Sequence, residues 1–224
     1  MATSQGATVI ARGRGDRTLI GAASLVVGPL VMAVGDLLHP EETADVGDQA
    51  TIVAAEATRW YLAHLLLFGG LVLFVPGLLT LAGLVAARRP RVGDAVRVLV
   101  VTGLAGLAEV FVGEMVAGRL GAVSAAATEE FLGTLFSGPI AGPMLVAGLA
   151  FFVGAAVLAV PLIAEPGPLR WPAAVLLAGT LLILAEIISS QVLLSQIGNL
   201  LVWGGSVSAA WLLVRGELGA PAET

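Results

Sequence analysis

The chain has 224 residues, of which 58% are hydrophobic and 12% charged, whereas about a quarter of the residues in a soluble domain are charged. The net charge of −5 argues against a nucleic acid as partner. The absence of cysteine excludes disulfides, thiolate nucleophiles and cysteine-based metal sites. This composition indicates an integral membrane protein whose first partner is the lipid bilayer.

Six apolar stretches follow one another along the chain, each long enough to cross a hydrocarbon core of about 30 Å as a helix. They are continuous rather than alternating, which favours helices over a β-barrel wall. The sequence therefore predicts an all-α, polytopic bundle of six transmembrane helices. The spans lie near Thr18 to Leu38, Trp60 to Ala87, Val96 to Ala117, Ile140 to Ile163, Trp171 to Ile188 and Val192 to Val214.

The arginines predict the orientation, because positively charged loops stay in the cytoplasm. Nine of the eleven basic residues flank alternate ends of the spans, namely Arg12, Arg14, Arg17, Arg88, Arg89, Arg91, Arg97, Arg170 and Arg215. The other loops carry seven of the sixteen acidic residues and only two arginines. We therefore expect a multi-pass plasma membrane protein, most simply bacterial, with both termini cytoplasmic. Residues 1–17 form a polar N-terminus, 18–215 the transmembrane domain and 216–224 a cytoplasmic tail.

Each acidic loop contains a segment that is able to form a short helix on the membrane surface. Asp48 is predicted to cap one, and Thr128 the other. In the second segment Phe131, Leu132 and Leu135 share one face, which we expect to float in the interface. Such helices either cover the bundle or act as a gating lid.

Ionisable side chains inside apolar spans are costly, so they usually face the bundle interior and indicate a functional pathway. Glu109 and Glu186 lie deep in the third and fifth spans, about 20 Å from the cytoplasmic side at about 1.5 Å per residue. His64 and Asn199 fall in or near the same layer. We expect these four residues to line one outward-facing polar pocket. Glu114, near the end of its span, is expected to reach back to water.

Three residues at the membrane edge are explained by ordinary structural roles, and one of them also by a functional role. Arg59 and Trp60 are typical interfacial anchors. His39, next to Pro40, suits the end of a helix. Because neutral imidazole is a common metal ligand, His39 and His64 are also candidate ligands for a metal ion or a haem iron. No cofactor can be named from the sequence.

Three short segments carry a resemblance: 38–41 (LHPE), 59–64 (RWYLAH) and 76–79 (PGLL). They resemble the opening of small multi-helix membrane proteins from high-GC actinobacteria, a family without an assigned activity. The resemblance covers the first two spans, about a third of the chain. It implies a membrane-embedded histidine in the second span and no mechanism.

The sequence leaves four functions open. The first is small-ligand binding or proton-coupled transport, using Glu109 or Glu186 as a carboxylate that gains a proton. The second is an enzyme that acts on a lipid or isoprenoid with the two glutamates as acid and base. The third is a haem or metal protein, and the fourth a non-catalytic interaction or membrane-stress protein.

Overall fold

The computed structural model describes residues 3–43, 45–189 and 191–216. This part of the chain is all-helical, and six of its helices are long and apolar enough to span a membrane, as predicted. In chain order the helices are α1 (Thr3–Leu38), α2 (Val46–Ala55), α3 (Ala57–Arg88), α4 (Pro90–Gly121), α5 (Ala125–Ser137), α6 (Ala141–Ala164), α7 (Arg170–Ser189) and α8 (Val192–Val214).

The helix boundaries follow the predicted spans with one large difference. Helix α1 begins at Thr3 rather than Thr18, so the polar N-terminal segment continues the first span as a helix. The polar break after Ser189 separates α7 from α8 as expected. The proposed division into a tail and a transmembrane domain stays a prediction, and residues 217–224 of that tail lie outside the described residues.

The six long helices form a closed ring in chain order, α1, α3, α4, α6, α7 and α8, with α8 returning to α1. Since short connections join them, successive helices run in opposite directions. Helices α3 and α6 also touch across the ring. The main apolar core fills this interior and includes Leu25, Leu71, Leu78, Val100 and Leu158.

Glycines let the helices approach closely. On α1, a Cβ on Gly28 would come within 2.5 Å of the Phe74 backbone nitrogen, and one on Gly35 within 2.9 Å of the Ala63 carbonyl. Similar contacts join α4 to α6 and α7 to α8. Van der Waals packing of this kind stabilises helix pairs in lipid. There the hydrophobic effect does not favour helix association, because the lipid tails are as apolar as the side chains.

The short helices α2 and α5 cover the end of the ring at which α3 begins and α4 ends. We call it the acidic end and the opposite one the arginine end. Helix α2 is capped by Asp45 rather than Asp48, and α5 by Ser124 rather than Thr128. The apolar face of α5 was predicted to float in the interface, but Leu132 packs with Val53 in a second core instead. Both helices therefore cover the bundle.

Candidate functional site

Three rings from two helices meet at the acidic end. His39 follows the last residue of α1, while Trp60 and His64 lie one turn apart in α3. The ring centroids of His39 and Trp60, and those of His39 and His64, are 4.7 Å apart, and those of Trp60 and His64 are 4.8 Å apart. All three side chains are buried, so this aromatic group belongs to the protein interior.

The two imidazoles face each other through their Nε2 atoms, which are 3.2 Å apart. The Nδ1 atom of His39 lies 2.8 Å from the Pro40 carbonyl, and that of His64 lies 2.9 Å from the Trp60 carbonyl. A carbonyl oxygen only accepts hydrogen bonds, so each Nδ1 must carry the hydrogen. In the neutral rings both Nε2 atoms are then acceptors, and nothing is donated between them. One added proton turns this contact into a hydrogen bond.

Glu42 extends the pair toward the surface. Its Oε1 atom lies 3.4 Å from the Nε2 atom of His39, and 41% of its side chain is exposed. Burial lowers the pKa of His39, and the Arg59 guanidinium acts in the same direction, while the Pro40 carbonyl and Asp36 partly oppose them. Partial removal from water and the charge of Asp36 raise the pKa of Glu42. His39 therefore tends to stay neutral, and Glu42 holds its proton more readily than a free carboxyl group.

Glu114 on α4 is joined to the rings through Trp60. The indole Nε1–H of Trp60 donates to Oε2 of Glu114 at 3.1 Å, and only 2% of Trp60 and 7% of Glu114 are exposed. The second core, formed with α2 and α5, lies over this bond. An indole N–H buried without a partner is costly, so Glu114 holds α3 and α4 together at this end.

Asp36 makes the connection to α8. The Ser195 hydroxyl, which also lies 2.8 Å from the Val192 carbonyl, is able to donate to the Oδ1 atom of Asp36 at 3.1 Å. Asn199 lies beside the same carboxylate. All three polar side chains are buried. The second carboxylate oxygen of Asp36 is also buried and has no hydrogen-bond partner in the described part of the chain.

The carboxylates of this region are close enough for their charges to interact. Glu42 interacts with Asp36, Glu114 and Glu186, and Glu186 is half-buried on α7. Arg59 lies at the edge, where it donates to the Leu38 carbonyl at 2.7 Å and pairs with Glu56. We name this group the histidine cluster; it consists of Asp36, His39, Glu42, Trp60, His64, Glu114, Glu186, Ser195 and Asn199.

The structure brings together three of the four predicted pocket residues, His64, Glu186 and Asn199, at the acidic end. Whether they bind a ligand stays a prediction. The expected inward direction of Glu109 is wrong, because this side chain is exposed on the outer face of α4. The buried residues of α4 centre on a direction about 130° from Glu109, at about 100° per residue.

Three further interpretations change with the structure. Glu114 does not reach back to water but is buried and bonded. Trp60 is a core residue rather than an interfacial anchor. The anchoring role of Arg59 stays a prediction; its guanidinium donates to the carbonyls of Leu38 and His39 at the end of α1. His39 is buried against His64 rather than a plain polar helix end. These contacts depend on how α1, α3 and α4 fit together, which the separate spans do not reveal.

The metal and haem hypotheses require more than two facing imidazoles. Protein-bound zinc uses three or four protein ligands. Within the described residues, no group of three or more His, Cys, Asp or Glu side chains is arranged to hold a metal ion. A haem iron held from both faces needs about 4 Å between the two nitrogen atoms, at bond lengths of about 2 Å, with the porphyrin between the rings. The direct 3.2 Å contact does not fit a bis-histidine haem.

No protein-family model, curated protein or solved structure matches this chain, so its function is argued from the chemistry of its own residues.

Proposed function

We propose that this protein is a proton-coupled transporter of a small ligand in which His39 and His64 bind a shared proton and pass it across the bilayer, also when no ligand is present. The observation that carries the proposal is the contact between two Nε2 atoms whose Nδ1 partners are both carbonyl acceptors. Such a contact gains a hydrogen bond only when a proton arrives. A proton also needs no cavity, unlike a larger ligand.

The surroundings support proton exchange with water. Glu42 is partly exposed and approaches His39, so it is able to pass a proton between solvent and the buried pair. The nearby carboxylates favour a bound positive charge, whereas burial of the rings opposes it. Because burial lowers the pKa of His39, we expect the pair to take up its proton only on the acidic side of neutrality.

The proposal places the protein in the plasma membrane with both termini cytoplasmic and the acidic end outside. Its support is the distribution of arginines. Because the chain has no cysteine, a single cysteine at Asp45 reports the orientation without background. We expect a membrane-impermeant thiol reagent to label Asp45→Cys in intact cells. Labelling only after permeabilisation would reverse the orientation.

Proton movement in reconstituted vesicles tests the transport step. The purified protein is placed in vesicles that contain a pH-sensitive dye, and an acid pulse is applied outside. We expect wild-type vesicles to acidify faster than empty ones, and His64→Gln vesicles to behave like empty ones. Equal rates for wild type and His64→Gln would contradict the proposal.

Two pairs of matched variants locate the effect. Glu42→Gln should slow acidification, while Glu41→Gln, at the adjacent exposed position, should not. On α4, Glu114→Gln should slow it and Glu109→Gln should leave it unchanged, because only Glu114 belongs to the histidine cluster. If the control variant of either pair slowed acidification more than the cluster variant, the histidine cluster would not lie on the proton path.

A further inference from the structure

Helix α8 carries a row of polar side chains from the histidine cluster toward the middle of the membrane. At about 100° per residue, Ser195, Asn199 and Ser206 lie within about 40° of one another around the helix axis. All three are buried. Ser206 is eleven residues beyond Ser195 and therefore about 16 Å deeper, at about 1.5 Å per residue. The row thus reaches well into the hydrocarbon region.

Three buried polar atoms in or beside this row lack a hydrogen-bond partner among the described residues. They are the Oδ2 atom of Asp36, the Nε1 atom of Trp203 and the Oγ atom of Ser206, and Ser206 is fully buried. More than nine in ten buried polar groups in proteins are paired, either with protein or with ordered water. Three unpaired atoms along one row indicate partners that are not part of the chain.

Helix α1, which packs against α8, contains a carbonyl without its usual helical partner at the same depth. Pro29 in α1 has no N–H, so the carbonyl of Leu25 loses its usual helical partner. Leu25 lies eleven residues before Asp36, and Ser206 lies eleven residues after Ser195. Since α1 and α8 run in opposite directions and meet where Ser195 contacts Asp36, Leu25 and Ser206 lie at similar depth.

We propose that a row of internal water molecules lies between α1 and α8 from Asp36 to Ser206. A buried water typically makes two to four hydrogen bonds to polar groups that otherwise lack partners, and these atoms offer such groups. The inference rests on the proposed function in one respect: the waters give the proton of the histidine pair a route into the bundle.

Hydrogen exchange at a single thiol tests the water row on the full-length protein. The chain has no cysteine, so one introduced cysteine gives the only S–H infrared band. On transfer to D2O, we expect the S–H band of Ser206→Cys to become an S–D band at least tenfold faster than that of Ser208→Cys, the matched serine that is exposed on the outer face of α8. A folded Ser206→Cys protein that exchanges no faster than Ser208→Cys would overturn the row.

The unmodified chain provides a second measurement that does not depend on a folded variant. With 15N-labelled tryptophan, the indole N–H of Trp203 should exchange magnetisation with water, while that of Trp60, which is bonded to Glu114, should not. No exchange at Trp203 would overturn the row. Neither measurement involves the histidines, so a dry α8 beside a proton-binding histidine pair would refute only this inference.

Discussion

The ionisable side chains lie at the surface at one end of the bundle and are largely buried at the other. At the arginine end the charged groups pair with one another at the surface: Arg88 and Arg89 both contact Glu165, and Arg97 contacts Asp94. At the acidic end Asp36, His39, His64 and Glu114 are buried. Surface pairs cost the fold little and contribute little, whereas buried polar groups carry a desolvation penalty. Groups that remain buried despite this penalty are the stronger candidates for function.

The largest difference between the ends should appear when one carboxylate is removed from each. Glu114→Ala leaves the Trp60 indole N–H buried without its partner, so we expect a loss of about 1–3 kcal/mol of stability. Glu165→Ala removes two surface contacts and should cost about 0–1 kcal/mol. Thermal unfolding in detergent measures both. Glu114→Gln serves as the control, because its amide oxygen still accepts from the indole. Equal losses for the two alanine variants would remove the distinction between the ends.

A smaller effect should depend on pH at the acidic end. The folded-state pKa of His39 is lowered from 6.5, so the unfolded chain binds more protons and stability falls as the pH drops below about 6.5. The folded-state pKa of Glu42 is raised from 4.5, so stability falls as the pH rises above about 4.5.

Unfolding curves from pH 4 to pH 8 separate these two contributions. His39→Gln should lessen the loss of stability on acidification, and Glu42→Gln should lessen the loss as the pH rises from about 4.5. The Glu41→Gln curve should match the wild-type curve. Parallel curves for wild type and both cluster variants would show that neither group senses pH in the folded protein.

The smallest effect concerns salt. At 1 M salt the screening length is about 3 Å, so the cost of Glu165→Ala should nearly vanish when the salt concentration is raised from about 0.1 M to 1 M. The cost of Glu114→Ala should persist, since its bond to Trp60 is covered by α2 and α5. Unfolding at both salt concentrations measures the difference. A cost of Glu114→Ala that disappears in salt would mean that ions reach this site.

Composition and helix length were sufficient to predict six spans, because a bilayer accepts few other structures. The face of each helix was harder to predict. On α4, Glu109 lies within about 60° of Gly106 and Gly113 at about 100° per residue, which favours an inward direction for its side chain. The mean direction of all six glycines of α4, at about 100° per residue, lies about 20° from Glu114 and about 120° from Glu109. The full set of small residues would therefore have selected the buried glutamate.

The histidine contact itself could not be read from the sequence. His39 and His64 are 25 residues apart. His39 follows the end of α1 and His64 lies in α3, and the glycine contacts between these two helices set their relative height and rotation. A shift of one residue along either helix would rotate a ring by about 100° and separate the pair. Sequence patterns predict which face of a helix carries small residues. They do not predict the relative height at which two such faces pack.

The central claim, one proton shared by two imidazoles, is tested most directly by 15N NMR of the histidine rings. The chain has two histidines, so protein purified without a histidine tag gives two ring systems. We expect both rings to carry hydrogen on Nδ1 at high pH. On acidification both should respond together to one proton, and a second proton should bind only at much lower pH, as in a strongly coupled pair. Two independent titrations near pH 6.5, or a hydrogen on Nε2 of either neutral ring, would contradict the account.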